Sequence, residues 1–240
     1  MSSGFDGSNS GVCVSESSVS VVCISGSSGS GFSEWDNFWQ RYDSAKPVSW
    51  SKRRITQVLS GYVKPGMDIL DAGCGTGFFS SYFISMGCNV YSMDYSDRAL
   101  FIAKDVTDNK ARAYVKGDIL DERALKGIDI KFDVIFSDGL LEHYSKEDQD
   151  RIISNVKAVK KDRGLIINFA PNRFSLWSMI RPFVMDIKER PFVLRELLDL
   201  HARNRLKVIA SGGISVLPFR ISPEKLLARH FGMLFYCVAV

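Results

Sequence analysis

Ile69-Leu70-Asp71-Ala72-Gly73-Cys74-Gly75-Thr76-Gly77-Phe78 decides the architecture of this chain. It opens on apolar residues of strand type and runs through three alternate glycines into a helical pattern that begins at Phe78. Glycines at that spacing let a backbone turn tightly and approach a ligand closely, because no Cβ intervenes. The helix behind them offers unpaired N–H groups to an anionic ligand group. A dinucleotide fingerprint, G-x-G-x-x-G, would need glycine at position 78, where Phe78 stands. Asp71, two residues before the first glycine, would repel a pyrophosphate and attract an ammonium group.

Outward from that stretch the chain alternates. Strand patterns fall at 68–72, 89–93, 111–115, 132–137 and 164–169, with helical patterns at 78–86, 97–104, 121–126 and 146–160. The expected fold is α/β, a mostly parallel sheet with helices on both faces and right-handed crossovers. Two further strand patterns, near 206–211 and 233–239, close the chain. Residues 172–204 interrupt the rhythm with aromatic, Arg-rich, helical sequence. Upstream, Trp35, Phe38, Trp39 and Tyr42 form an apolar stripe at helical spacing, which reads first as core packing. Pro47 ends it, and a second helix is expected from Ser51 to Leu59. Tyr42 and Trp50 are the residues of this region expected to close a pocket, if any do.

Residues 1–33 contain thirteen Ser and six Gly, and their only charged residues are Asp6 and Glu16. Such sequence buries too little apolar surface to offset chain entropy and is expected to be a disordered tail, despite some strand character at 19–24. The domain proper is then residues 34–240, and it carries every Lys and Arg of a chain whose net charge is +4. That mild basic bias permits an anionic substrate without pointing to nucleic acid. No apolar run is long enough to span a bilayer. The five cysteines are odd in number and lack C-x-x-C spacing, so a reducing, cytoplasmic setting is expected.

Three further stretches follow the glycine loop in order. Val90-Tyr91-Ser92-Met93-Asp94-Tyr95 is a strand ending in an acid, placed to accept hydrogen bonds from two ribose hydroxyls. Lys116-Gly117-Asp118-Ile119 follows the third strand pattern, and Phe132–Asp138 forms the fourth. With D-x-G-x-G-x-G ahead of them, these motifs resemble the class I S-adenosylmethionine-dependent methyltransferases. The likeness is greatest to the small-molecule branch called type 11, which includes ubiquinone- and menaquinone-pathway enzymes. It covers residues 50–170 and implies a Rossmann-like seven-stranded sheet whose last strand is antiparallel, with a helical insert after the fifth strand. It also implies S-adenosylmethionine as cofactor, held by Asp71, Gly73, Gly75, Gly77, Asp94, Tyr95, Asp118, Ile119, Ser137 and Asp138.

Leu141-Glu142-His143-Tyr144 comes directly after the fourth strand, at the carboxyl end of the sheet where ligands bind. Methyl transfer is an in-line displacement that chiefly requires alignment. A hydroxyl acceptor adds the need for a base, and His143 has a suitable intrinsic pKa, with Glu142 to orient it. Both residues have a plainer reading, as cap and packing of the loop. Some quinone O-methyltransferases carry Glu-x-x-Glu-His here and hold a divalent ion. Gly139 stands where the first Glu would be, so no metal is expected.

Neither Asn/Asp-Pro-Pro-Tyr nor a Pro-Cys nucleophile is present, which argues against DNA-base chemistry. The insert 172–204 reads as a lid over an apolar or anionic acceptor, a dimer surface, or core. The expected activity is O-methylation of a small molecule. Methylation of RNA or protein, and non-catalytic S-adenosylmethionine binding, are the alternatives.

Overall fold

The computed structural model describes residues 20–23, 35, 38–40, 49–180, 189–217 and 223–240. Among the described residues eight strands form one sheet: β1 (Ser20–Cys23), β2 (Asp68–Ala72), β3 (Asn89–Asp94), β4 (Ala113–Lys116), β5 (Phe132–Asp138), β6 (Lys160–Pro171), β7 (Val208–Ile214) and β8 (Leu234–Ala239). Their order across the sheet is β1-β4-β3-β2-β5-β6-β8-β7. Only β8 runs antiparallel, against both β6 and β7. Strands β2 to β8 are thus the expected seven-stranded sheet with its reversed last strand.

The eighth strand is a departure. Ser20–Cys23 lies within the stretch expected to be a disordered tail, and it pairs in parallel with Ala113–Lys116. Val21 and Val22 supply β-branched residues at its centre, and β4 would otherwise be the sheet's free edge. The rest of residues 1–33 lies outside the described residues.

The helices are α1 (Trp50–Leu59), α2 (Phe78–Ser85), α3 (Asp97–Val106), α4 (Glu122–Lys126), α5 (Lys146–Ala158), α6 (Leu176–Ile180), α7 (Leu194–Arg203) and α8 (Glu224–Phe231). Their starts are written in the sequence. Ser49, Ser96, Asp121 and Ser145 each accept a backbone N–H as N-caps of α1, α3, α4 and α5. Side chains of β2 alternate between two cores, as the strand period of two requires. Leu70 joins α4, α5 and α7 on one face, and Ile69 joins α1, α2 and α3 on the other.

Strand β6 begins at Lys160, four residues before its expected start, because its polar opening Lys160–Arg163 extends beyond the core. Lys161 there bonds Asp68 at 2.9 Å and Asp133 at 2.8 Å, tying β2, β5 and β6 together at their amino ends. The insert 172–204 divides. In α7, Leu194, Leu197 and Leu200 are buried core residues, so this half is structural. Ser175, Leu176 and Trp177 instead border the cleft at the carboxyl end of the sheet. Residues 181–188 lie outside the described residues.

Candidate active site

That cleft has a volume of about 830 Å³. Its floor is the glycine loop. The N–H groups of Gly73 and Cys74 both donate to the Met93 carbonyl at 2.9 Å, and Gly75 N–H donates to Asp94 Oδ2 at 2.8 Å. The other Asp94 oxygen accepts from Ser96 N–H at 2.9 Å. Two glycines have reasons visible in the packing. A Cβ on Gly75 would lie 2.9 Å from the Trp39 ring, so the loop fits under that indole. A Cβ on Gly77, where φ is +76°, would lie 2.8 Å from the Ala103 Cα and would push α3 off the start of α2.

Three carboxylates gather at this floor. Asp71 is buried and accepts the Ser80 hydroxyl at 2.6 Å. Burial, reinforced by the negative charges of Asp94 and Asp138 and opposed by the Ser80 hydrogen bond, pushes Asp71 up to about 7. One cation stands opposite. Lys52 comes from the first turn of α1, its ammonium 4.7 Å from the Phe78 ring centroid. Burial lowers its pKa while Asp138 and Asp71 raise it. Helix α1 is held in place by Arg54, which meets Glu224 of α8 at 2.9 Å; Glu224 also accepts Ser215 and Val216 N–H.

The opposite wall is built from the turn after β5. Glu142 is buried, and its carbonyl accepts Arg190 N–H at 2.9 Å, which brings Glu189 against it. His143 Nε2 lies 3.7 Å from Glu189 Oε1, and the Trp35 ring packs edge-on against the imidazole with centroids 4.7 Å apart. Gln149 from α5 donates to the Leu141 and Tyr144 carbonyls and fixes the turn.

Of the residues expected at the site, Asp71, Gly73, Gly75, Asp94, Tyr95, Asp138, Glu142 and His143 line the cleft. Gly77, Asp118, Ile119 and Ser137 are not among its lining residues. Gly77 serves helix packing. Asp118 closes a turn by accepting Leu120 N–H at 2.9 Å. Ile119 is buried in the core. Ser137 points to the far face of β5, where Asn168 bridges its hydroxyl (2.7 Å) and His201 Nε2 (2.8 Å).

The sequence reading missed Lys52 and Glu189, while Tyr144, read as part of the turn facing the site, lines the cleft. Lys52 had only a weak local signal, as the first of three cations, Lys52-Arg53-Arg54, in the first turn of a capped helix. Glu189 had none, since its partner is some fifty residues away in sequence. Trp35, Phe38 and Trp39, read first as core, line the cleft with Trp50. Tyr42 lies outside the described residues.

The residues present fit S-adenosylmethionine. An anionic floor suits a ligand that carries an ammonium and a sulfonium, and aromatic side chains of Trp39, Trp50 and Tyr95 line the same cleft for a nucleoside. A pyrophosphate would meet three acids there.

Comparison with known proteins agrees. Residues 69–164 match a family model described as a methyltransferase domain. Over 112 residues the chain is 30% identical to magnesium-protoporphyrin O-methyltransferase of Synechocystis sp., covering 47% of this chain and 48% of the relative. Over 170 residues it is 26% identical to ribosomal protein L11 methyltransferase of Dictyoglomus thermophilum, covering 56% and 53%. The chain thus spans about half the length of these curated relatives. Among solved structures, magnesium protoporphyrin IX methyltransferase from Synechocystis with bound SAH superposes with a TM-score of 0.62 at 17% identity, covering 88% of this chain and 95% of that one. With the sheet order and the glycine floor, these matches show a region similar to methyltransferase domains over residues 69–164, on a fold shared with the methyltransferases of known structure.

Proposed function

We propose that this chain is an S-adenosylmethionine-dependent methyltransferase that acts on an oxygen of a small-molecule acceptor. The observation that carries the reading is the convergence of Asp71, Asp94 and Asp138 on a glycine loop that opens a helix. In this assignment Asp71 takes the ammonium, Asp94 the ribose hydroxyls, and Lys52 the carboxylate of the amino-acid end. Tyr95 lies along the base. S-adenosylmethionine supplies an activated methyl group, whose bonding electrons return to sulfur as the acceptor oxygen attacks. Glu142 and His143 face the acceptor, where a hydroxyl must lose its proton as the methyl group arrives.

The aromatic walls support an acceptor with an apolar body, as does the Synechocystis relative's named substrate. Among the described residues no helix is long and apolar enough to cross a membrane, and Cys74, Cys88 and Cys237 are free thiols, which fits a cytoplasmic setting. The L11 methyltransferase relative favours a second reading, in which the acceptor is a protein side chain.

Calorimetry with S-adenosylhomocysteine, NAD and NADP tests the cofactor. Saturable binding of the first alone is expected, and NAD binding in its place would overturn the assignment. Transfer of tritiated methyl to a small-molecule extract, against a ribosomal protein fraction, separates the two acceptor classes.

A further inference from the structure

The structure assigns a divalent-cation site to Glu142, His143 and Glu189, on the acceptor side of the cleft. Each residue offers one ligand atom, and the three atoms lie within 4.8 Å of one another. His143 Nε2 and Glu189 Oε1 stand 3.7 Å apart. That is too long for a hydrogen bond. It suits two ligands on one ion, since bonds of 2.0–2.3 Å place neighbouring ligands roughly 3–3.7 Å apart.

Several features prepare the site. Glu142 is 2% exposed, and the His143 and Glu189 side chains are 10% and 7% exposed, so the set is withdrawn from bulk water. The backbone bond from Arg190 N–H to the Glu142 carbonyl sets the two acids in register, and Gln149 holds the turn that carries Glu142 and His143. Gly139 has φ +73°, which a side chain rarely adopts, and Glu142 Oε1 lies 3.5 Å from where its Cβ would be. The second acid therefore arrives from residue 189. This reverses the expectation of no metal, which considered only the residues next to His143.

Two carboxylate oxygens and one imidazole nitrogen leave coordination positions open toward the cleft, the arrangement of a working rather than a structural site. Such a donor set suits manganese, magnesium, iron(II) or zinc. The inference rests on the methyltransferase reading for its chemistry and deepens it. The acceptor would be a hydroxyl flanked by a second oxygen donor, both able to reach the ion. The ion lowers the hydroxyl pKa, the proton leaves to water, and the oxygen pair forms the new O–C bond as the C–S pair returns to sulfur. His143 is then a ligand, and proton removal by the imidazole is not required.

The test is a manganese titration of the full chain, read by loss of the free Mn(II) paramagnetic resonance signal. One saturable ion per chain is expected. Glu189→Gln should weaken binding by about tenfold or more, with S-adenosylhomocysteine affinity unchanged by calorimetry. His143→Asn, with folding checked by circular dichroism, should do the same and serves where Glu189→Gln fails to fold. Absence of saturable binding at millimolar manganese, or unaltered binding in both variants, overturns the site. Manganese binding without S-adenosylhomocysteine binding would overturn the methyltransferase reading and leave the cation site standing.

Discussion

Gly75 N–H donates to Asp94 Oδ2 at 2.8 Å, so the carboxylate expected to hold a ribose also holds the glycine loop. The carboxyl ends of β2 and β3 are thereby locked to each other before any ligand arrives. Asp94→Ala removes this bond and the one to Ser96 N–H, besides any made to ligand. Hydrogen bonds to a charged group are worth about 1.5–3 kcal/mol each. Affinity for S-adenosylhomocysteine should fall about tenfold or more, and the melting temperature should fall with it. Calorimetry and thermal melts read the two losses, and lost affinity at unchanged melting temperature would show that the loop holds its shape alone.

Gly77 answers to packing. Gly77→Ala places a methyl 2.8 Å from the Ala103 Cα at a left-handed φ of +76°. The expected cost is on the order of 2–4 kcal/mol. At Gly66, φ is +82° and nothing lies within 4 Å of a Cβ. Gly66→Ala should cost about 1–2 kcal/mol, the conformational share alone. Denaturant unfolding of the two variants separates steric clash from backbone strain.

Asp71 gives the site a pH dependence. Its carboxyl is pushed up to about 7 from an ordinary 3.8, so between those values the folded state binds the extra proton. Stability of the unliganded protein should therefore decline as pH rises from 4 to 7, and Asp71→Asn should flatten that slope. Ligand binding runs the other way. An ammonium group needs the ionised carboxylate, so S-adenosylhomocysteine affinity should drop about tenfold between pH 8 and pH 6. Calorimetry at the two pH values, with Asp71→Asn as reference, checks the sign.

The polar chain Ser137–Asn168–His201 lies in the core behind β5. Burial lowers the His201 pKa, and Nδ1 contacts the Leu197 carbonyl at 2.8 Å. Asn168→Ala would strand the Ser137 hydroxyl and His201 Nε2, at a cost of about 2–4 kcal/mol. Ligand affinity should hold, because none of the three residues lines the cleft. A loss of affinity without a loss of stability would return Ser137 to the site.

The sheet, the glycine floor and Asp94 were legible because their signals are local: a strand, a turn and a helix start within ten residues. Position in a motif did not reveal which way a side chain points. Phe136 and Asp138 line the cleft while Ser137 between them turns to the core, as strand alternation demands. Asp118 and Ile119 stand outside the cleft lining, one accepting a turn N–H and the other packed in the core. Lys52 and Glu189 reach the cleft from distant segments whose tertiary placement no local period encodes. The aromatic stripe from Trp35 was ambiguous in kind, because core and cleft wall select the same residues at the same spacing.

The pairing of Ser20–Cys23 with Ala113–Lys116 bears on how this protein behaves in concentrated solution. A four-residue ribbon adds little to the free energy of folding, but it occupies donors and acceptors that would otherwise form an adhesive flank. A chain that begins at residue 34 should melt near the temperature of the full chain, yet form dimers and larger species as its concentration rises. Sedimentation velocity across a concentration series would show the change. In that light Ser20–Cys23 would shield the β4 edge from unwanted neighbours.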